Sequence, residues 1–158
     1  MSSSDRSSPI PSGCKVFLSF PDALMVAEIV FGSLVWILVA STDLLSIFQE
    51  YQGWLMFVSV TCHIVTTLLL IIYMCGAQNH SSVWITLDAF YHFAATALYL
   101  SIAVMQARDT KIYFIGFSHP STLEKYQLNI AASVFAFIAT LLYAVHAIGS
   151  MVRWKRSS

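Results

Sequence analysis

The chain has 158 residues, 58% hydrophobic and 10% charged, with 8 Lys+Arg balancing 8 Asp+Glu. A soluble domain carries about 25% charged residues. The composition therefore excludes a water-soluble enzyme and a disordered chain, and the zero net charge gives no pull on nucleic acid. The surplus apolar surface requires lipid as its solvent.

Met1–Asp22 is a tail rich in Ser and Pro, expected to be disordered at its start. The first apolar run is Ala23–Thr42 and contains one charge, Glu28. Asp43–Gly53 is a short loop, and the second run, Trp54–Cys75, has no Asp, Glu, Lys or Arg. After the loop Gly76–Val83, the third run, Trp84–Gln106, is interrupted only by Asp88. Ala107–Asn129 is the longest loop, and the fourth run, Ile130–Val152, is again free of formal charge. The tail Arg153–Ser158 is basic. Each run has 20 to 23 residues, enough at about 1.5 Å per residue to cross a hydrocarbon core of roughly 30 Å. Backbone groups in lipid must be paired within the segment, so the runs are predicted helices. No piece outside them can bury a core of its own. The predicted fold class is all-α: one integral-membrane four-helix bundle. No cleavable leader is expected, because no apolar segment precedes the first run, and Met1-Ser2 lacks the Met-Gly of myristoylation.

Four spans place both tails on one face. That face carries Arg6, Lys15, Arg153, Lys155 and Arg156, against Arg108, Lys111 and Lys125 on the other, so both termini are expected in the cytosol. The sequon Asn79-His80-Ser81 then faces the cytosol and stays unused. Cys14 and Cys75 fall on the reducing side and Cys62 inside the second span, which leaves no disulfide framework. Cys75, at a span end, and Cys14 are candidate palmitoylation sites; the plainer reading is a small apolar residue. Trp54, Trp84 and Trp154 sit at span boundaries and, with Arg153, Lys155 and Arg156, are the expected interface anchors. The apolar stretch Ile112–Phe117 is expected on the outer bilayer surface. The later spans slightly exceed an average core, which favours thicker membranes rich in sterol and sphingolipid.

Charge at bilayer depth is costly, about 2.5–3.5 kcal/mol on insertion scales. By the helical rise, Glu28 lies about 8 Å, Asp88 about 6 Å, His92 about 12 Å and His146 about 9 Å from the same membrane face. Asp88 and His92, four apart, share a helix face. These four residues are expected to form one polar layer in the bundle interior, with His63 apart near mid-bilayer. A proton relay or ion site needs polar residues through the whole thickness, and the far halves of the spans offer mostly Leu, Ile, Val, Phe and Ala. Interhelical hydrogen bonding is therefore the favoured role. No metal site is expected, because no short Cys/His spacing or HExxH is present and two intramembrane acids are too few for a di-iron bundle. Catalysis is not expected either: Ser101 and His92, nine apart, lie about 13–14 Å from one another along the helix. Ala132, Ala136, Thr140 and Ala144 form a smooth stripe for close helix approach, as do Ala97 with Ser101 and Ala103 with Ala107 more briefly. The stripe serves internal packing or a second copy of the chain or another membrane protein.

Several strings carry a resemblance. They are Gly32-Ser33-Leu34-Val35-Trp36, Gln52-Gly53-Trp54-Leu55-Met56-Phe57, Leu87-Asp88-Ala89-Phe90-Tyr91-His92, Asn129-Ile130-Ala131-Ala132, Ala139-Thr140-Leu141-Leu142-Tyr143 and Arg153-Trp154-Lys155. Together they resemble the MAL proteolipid family, within the MARVEL-domain class of four-span proteins, over about Pro11 to Lys155. The resemblance implies cytosolic termini, residence in glycolipid- and cholesterol-enriched membranes with cholesterol or sphingolipid as candidate bound lipids, and no protein cofactor. It also implies a non-enzymatic role in apical vesicle transport between Golgi and plasma membrane and in myelin organisation. The family's Asp-x-x-x-His corresponds to Asp88 and His92, without a catalytic role. Two positions depart from the pattern: Ser33 stands where a second Gly is usual, and Arg156 extends the tail to Lys155-Arg156-Ser157-Ser158, a faint likeness to a retrieval signal. The competing reading is a small proton- or ion-coupled transporter built on Glu28, Asp88, His92 and His146.

Overall fold

The computed structural model describes residues 10–42, 49–115 and 120–157. Four α-helices follow in order: α1 Leu24–Ala40, α2 Gln49–Cys75, α3 Val83–Ile115 and α4 Pro120–Ser157. Short 3₁₀ turns at Gly13–Phe17 and Ala77–His80 precede α1 and α3. α2, α3 and α4 are long and apolar enough to cross a membrane. α1 is a shorter apolar helix of 17 residues, about 25 Å at the helical rise.

The helices start and stop differently from the apolar runs. α3 continues through Ala107 to Ile115, and α4 begins at Pro120, so most of the expected third loop is helix. Arg108, Asp109 and Lys111 lower the hydropathy of that stretch without breaking the helix, since none is a poor helix former on the scale of Gly or Pro. Pro120 sits at the first helical position, where its missing N–H is no loss. α2 ends at Gly76, whose φ of 75° supplies the left-handed residue that closes a helix. Within the expected outer-surface stretch, residues 112–115 extend α3, and Gly116 and Phe117 lie outside the described residues. At the other end α4 carries the basic tail as its last turn, to Ser157.

The helices neighbour one another in the cyclic order α1, α2, α3, α4, with α3 and α4 packed most extensively. The main core joins Val35, Leu55, Val58, Tyr99, Ala136 and Tyr143 from all four helices. Ala132 and Ala136 are fully buried and Thr140 nearly so, while Ala144 is half-buried, so the small-residue stripe of α4 faces inward. In α3 the inward line is Asp88, His92, Ala95, Tyr99, Ile102 and Gln106, while Ala97 and Ala107 face outward. Of the two brief small-residue pairs of α3, Ala103 is fully buried in the main core and Ser101 is half-buried. Outside, Phe57, Phe90, Phe93 and Leu141 are more than 60% exposed, whereas Glu28, Asp88, His92 and His146 are at most 1% exposed. Polar groups inside and apolar groups outside is the arrangement that lipid selects.

The tail preceding α1 is folded from Ile10 onward. Ile10 and Val16 are buried with Met25, Leu69, Tyr73 and Ile85 in a second core at the end of the bundle. Gln78 Nε2 donates to the Pro11 carbonyl at 2.8 Å. A Cβ added at Gly149 of α4 would lie 2.8 Å from Pro21 Cβ, which shows how closely the segment meets that helix. The first nine residues, where disorder is expected, lie outside the described set.

Candidate functional site

Three helices and the folded tail bring ionisable groups together near one end of the bundle. α1 supplies Glu28, α3 supplies Asp88 and His92, α4 supplies His146 and Arg153, and the segment before α1 supplies Asp22. The His146 Nδ1–H donates to Glu28 Oε1 at 2.8 Å. Glu28 Oε2 faces His92 Nε2 at 3.5 Å. His92 donates from Nδ1 to the Asp88 backbone carbonyl at 2.8 Å, one turn earlier. The two imidazoles lie face to face, centroids 3.5 Å apart and planes 22° from parallel.

Asp88 is the hub. Its Oδ1 accepts from the Tyr73 hydroxyl of α2 at 2.8 Å. Its Oδ2 accepts from the Ser150 hydroxyl and from Arg153 Nη2, the latter at 2.9 Å. The same guanidinium forks onto Asp22, Nη1 to Oδ2 at 2.7 Å and Nη2 to Oδ1 at 3.0 Å. Arg153 was expected among lipid headgroups. Its side chain is instead 10% exposed and turned inward, because two fully buried carboxylates stand within reach. The remaining expected anchors stay outward: Trp54, Trp154, Lys155 and Arg156 are exposed and Trp84 is half-buried. Trp154 Nε1 donates to Thr86 at 3.1 Å, and Trp54 Nε1 to Ser101 at 3.3 Å.

All four expected members of the polar layer thus meet. Asp22, Arg153, Ser150 and Tyr73 complete it and were not anticipated. Two further polar groupings were also missed. Thr66 Oγ1 shares hydrogen bonds with both Tyr91 and Tyr143 hydroxyls, each at 2.8 Å, and Tyr91 also donates to the Cys62 carbonyl. Near the far end Gln106 Nε2 donates to Asn129 Oδ1, tying α3 to α4. The helical period was the available signal, since Asn129, Ala132, Ala136 and Tyr143 share one face of α4. Ser33 Oγ and His63 Nδ1 are 3.0 Å apart across α1 and α2, so both the departure from the family pattern and the isolated histidine find a partner in each other. Cys14 and Cys75 are exposed and Cys62 is buried; all three are free thiols.

Ser33 Oγ, beside His63, also donates to the Ile29 carbonyl one turn earlier. A groove of about 680 Å³ opens on the outer side of α4, walled by Phe20, Pro21, Val145, Ile148 and Val152, with Arg156 at its rim.

Residues 16–148 match the MARVEL family, described as a membrane-associating domain. The chain belongs to the MARVEL family. Among its relatives, the Myelin and lymphocyte protein of Homo sapiens is 50% identical over 95% of this chain and 94% of its own. The Canis lupus familiaris protein of that name is 49% identical over the same shares. CKLF-like MARVEL transmembrane domain-containing protein 8 of Bos taurus is 33% identical over 87% of this chain and 75% of its own. No solved structure matches the chain. As a MARVEL protein this chain is a multi-span membrane protein that associates with lipid, and the buried charge layer lies within the matched domain except for Ser150 and Arg153.

Proposed function

We propose that this MARVEL protein is a non-enzymatic membrane organiser. It partitions into ordered membrane rich in cholesterol and glycosphingolipid, and there supports vesicle carriers from the Golgi to the apical plasma membrane and the stacking of myelin membrane. Similarity to the Myelin and lymphocyte proteins over nearly the whole chain supports this reading. The carrying observation is the inverted distribution of side chains: every ionisable group of the layer faces inward and bulky apolar groups cover the outside. Such a molecule presents lipid with a surface rather than offering a substrate a cleft. The groove beside Phe20 and Val145 adds a lipid-facing recess edged by cationic Arg156. Both termini are placed in the cytosol, on the Lys and Arg count. The folded tail and the end of α4, joined through Asp22 and Arg153, share one end of the bundle, which supports both tails lying on one side.

The experiment is reconstitution in giant vesicles that separate into ordered and disordered phases. Enrichment in the ordered phase is expected; strong preference for the disordered phase refutes the proposal. Impermeant labelling of Cys14 and Cys75 in intact cells tests the topology, and neither thiol is expected to react until the membrane is opened.

A further inference from the structure

Glu28, His92 and His146 each place one donor atom within 4.8 Å of the other two, and all three residues are buried. No pair of them is close in sequence, and each stands on a different helix, α1, α3 and α4. Three of their atoms, Glu28 Oε2, His92 Nε2 and His146 Nε2, have no hydrogen-bond partner among the described residues although they are fully buried. An unpaired polar atom at such depth is expensive. His92 sharpens the point. Its Nδ1–H is committed to the Asp88 carbonyl, so a neutral ring turns the Nε2 lone pair toward a carboxylate oxygen 3.5 Å away. Two acceptors facing each other require a positive charge between them. A second-sphere carbonyl that fixes the other nitrogen is the usual support of a metal-binding histidine.

Charge balance points the same way. Among the described residues Asp22, Glu28 and Asp88 are three buried carboxylates, and Arg153 is bonded to two of them. With neutral histidines, two negative charges are left over in a medium of low dielectric. Two protons on the histidines would balance them, but would set two cationic rings face to face at 3.5 Å. One divalent ion balances them without that repulsion. Asp22, Asp88 and His146 also converge within 4.8 Å, but the guanidinium already holds both of those carboxylates. The Glu28 group is the one left uncompensated.

We propose that Glu28, His92 and His146 bind one divalent ion of the zinc class. Two imidazoles and a carboxylate are a recurrent zinc donor set with a fourth position left for water. Ligand atoms about 2.0–2.2 Å from a tetrahedral ion lie roughly 3.3–3.5 Å from one another, close to the Glu28–His92 separation. The ion ties α1, α3 and α4 together.

The test uses the full chain in detergent micelles, stripped with a chelator and titrated with Co²⁺, whose visible bands are intense in four-coordinate sites and weak in the six-coordinate aquo ion. One Co²⁺ per chain with such bands, displaced by Zn²⁺, is expected. His92→Gln and His146→Gln are expected to lose the bands, while His63→Gln keeps them. Because a layer variant can fail to fold, the wild-type chain carries a second readout: zinc per chain by elemental analysis, with the unfolding midpoint falling when the chelator is added. Substoichiometric zinc, an unmoved midpoint and a Co²⁺ spectrum no different from free ion overturn the proposal, as does equal loss of the bands in His63→Gln.

Discussion

Replacing Arg153 by Met is the most demanding test of the buried layer. The methionine keeps the apolar stem and removes the guanidinium, so three charge-assisted contacts at 2.7, 2.9 and 3.0 Å disappear together. Asp88 retains the Tyr73 and Ser150 hydroxyls, but Asp22 loses both of these contacts while its side chain stays fully buried. Removing one partner of a buried ion pair costs about 3–5 kcal/mol, because the charge left behind is uncompensated. At about 1.4 kcal/mol per tenfold, that is a loss of roughly two to three and a half orders of magnitude in the folding constant. Arg153→Lys should recover only part, since an ammonium cannot fork across two carboxylates. Asp22→Asn added to Arg153→Met should also recover part, because one orphaned charge is removed. Reversible unfolding in mixed micelles of mild detergent and dodecyl sulfate, followed by far-ultraviolet circular dichroism, measures all three. If Arg153→Met costs under about 1 kcal/mol, the residue behaves as an exposed pair does and the layer as described is wrong.

Two further outcomes rest on packing and on hydroxyls. Gly149→Leu drives a Cβ to 2.8 Å and more bulk beyond it into Pro21; overpacking of this kind costs about 1–3 kcal/mol. It should loosen the folded tail and raise the rate of tryptic cleavage after exposed Lys15, and an unchanged rate would show that the tail is held elsewhere. Thr66→Val keeps the shape and deletes the hydroxyl between Tyr91 and Tyr143. Interhelical hydrogen bonds in membranes average about 0.6 kcal/mol with a maximum near 1.7, so a loss in that range is expected in the same unfolding assay, and a loss several times larger contradicts it.

The four helices were legible because a run of twenty apolar residues has few alternatives in water or lipid. Glu28, Asp88, His92 and His146 were legible for a related reason: an ionisable group in such a run must turn inward, and the helical rise gave them one depth. Their partners were hidden by the same logic. Asp22 and Arg153 stand just outside the apolar runs, where a charge is ordinary, and nothing local says that a tail folds back over the bundle. Tyr73, Tyr91 and Tyr143 count as apolar in composition, so their hydroxyl contacts left no mark. Helix ends were obscured because hydropathy reports solvent, not hydrogen bonding. α3 and α4 run on past the lipid-compatible stretch as ordinary helices.

The pairing of Asp22 with Arg153 and of Glu28 with His146 spans 131 and 118 positions of chain. During synthesis the acids emerge with the first helix and their partners with the last. Until α4 is in place, the Glu28 carboxylate of α1 lacks its His146 partner, and a charge at bilayer depth costs about 2.5–3.5 kcal/mol on insertion scales. Completion of the polypeptide is thereby the event that gives the acids of its opening segment their partners on α4.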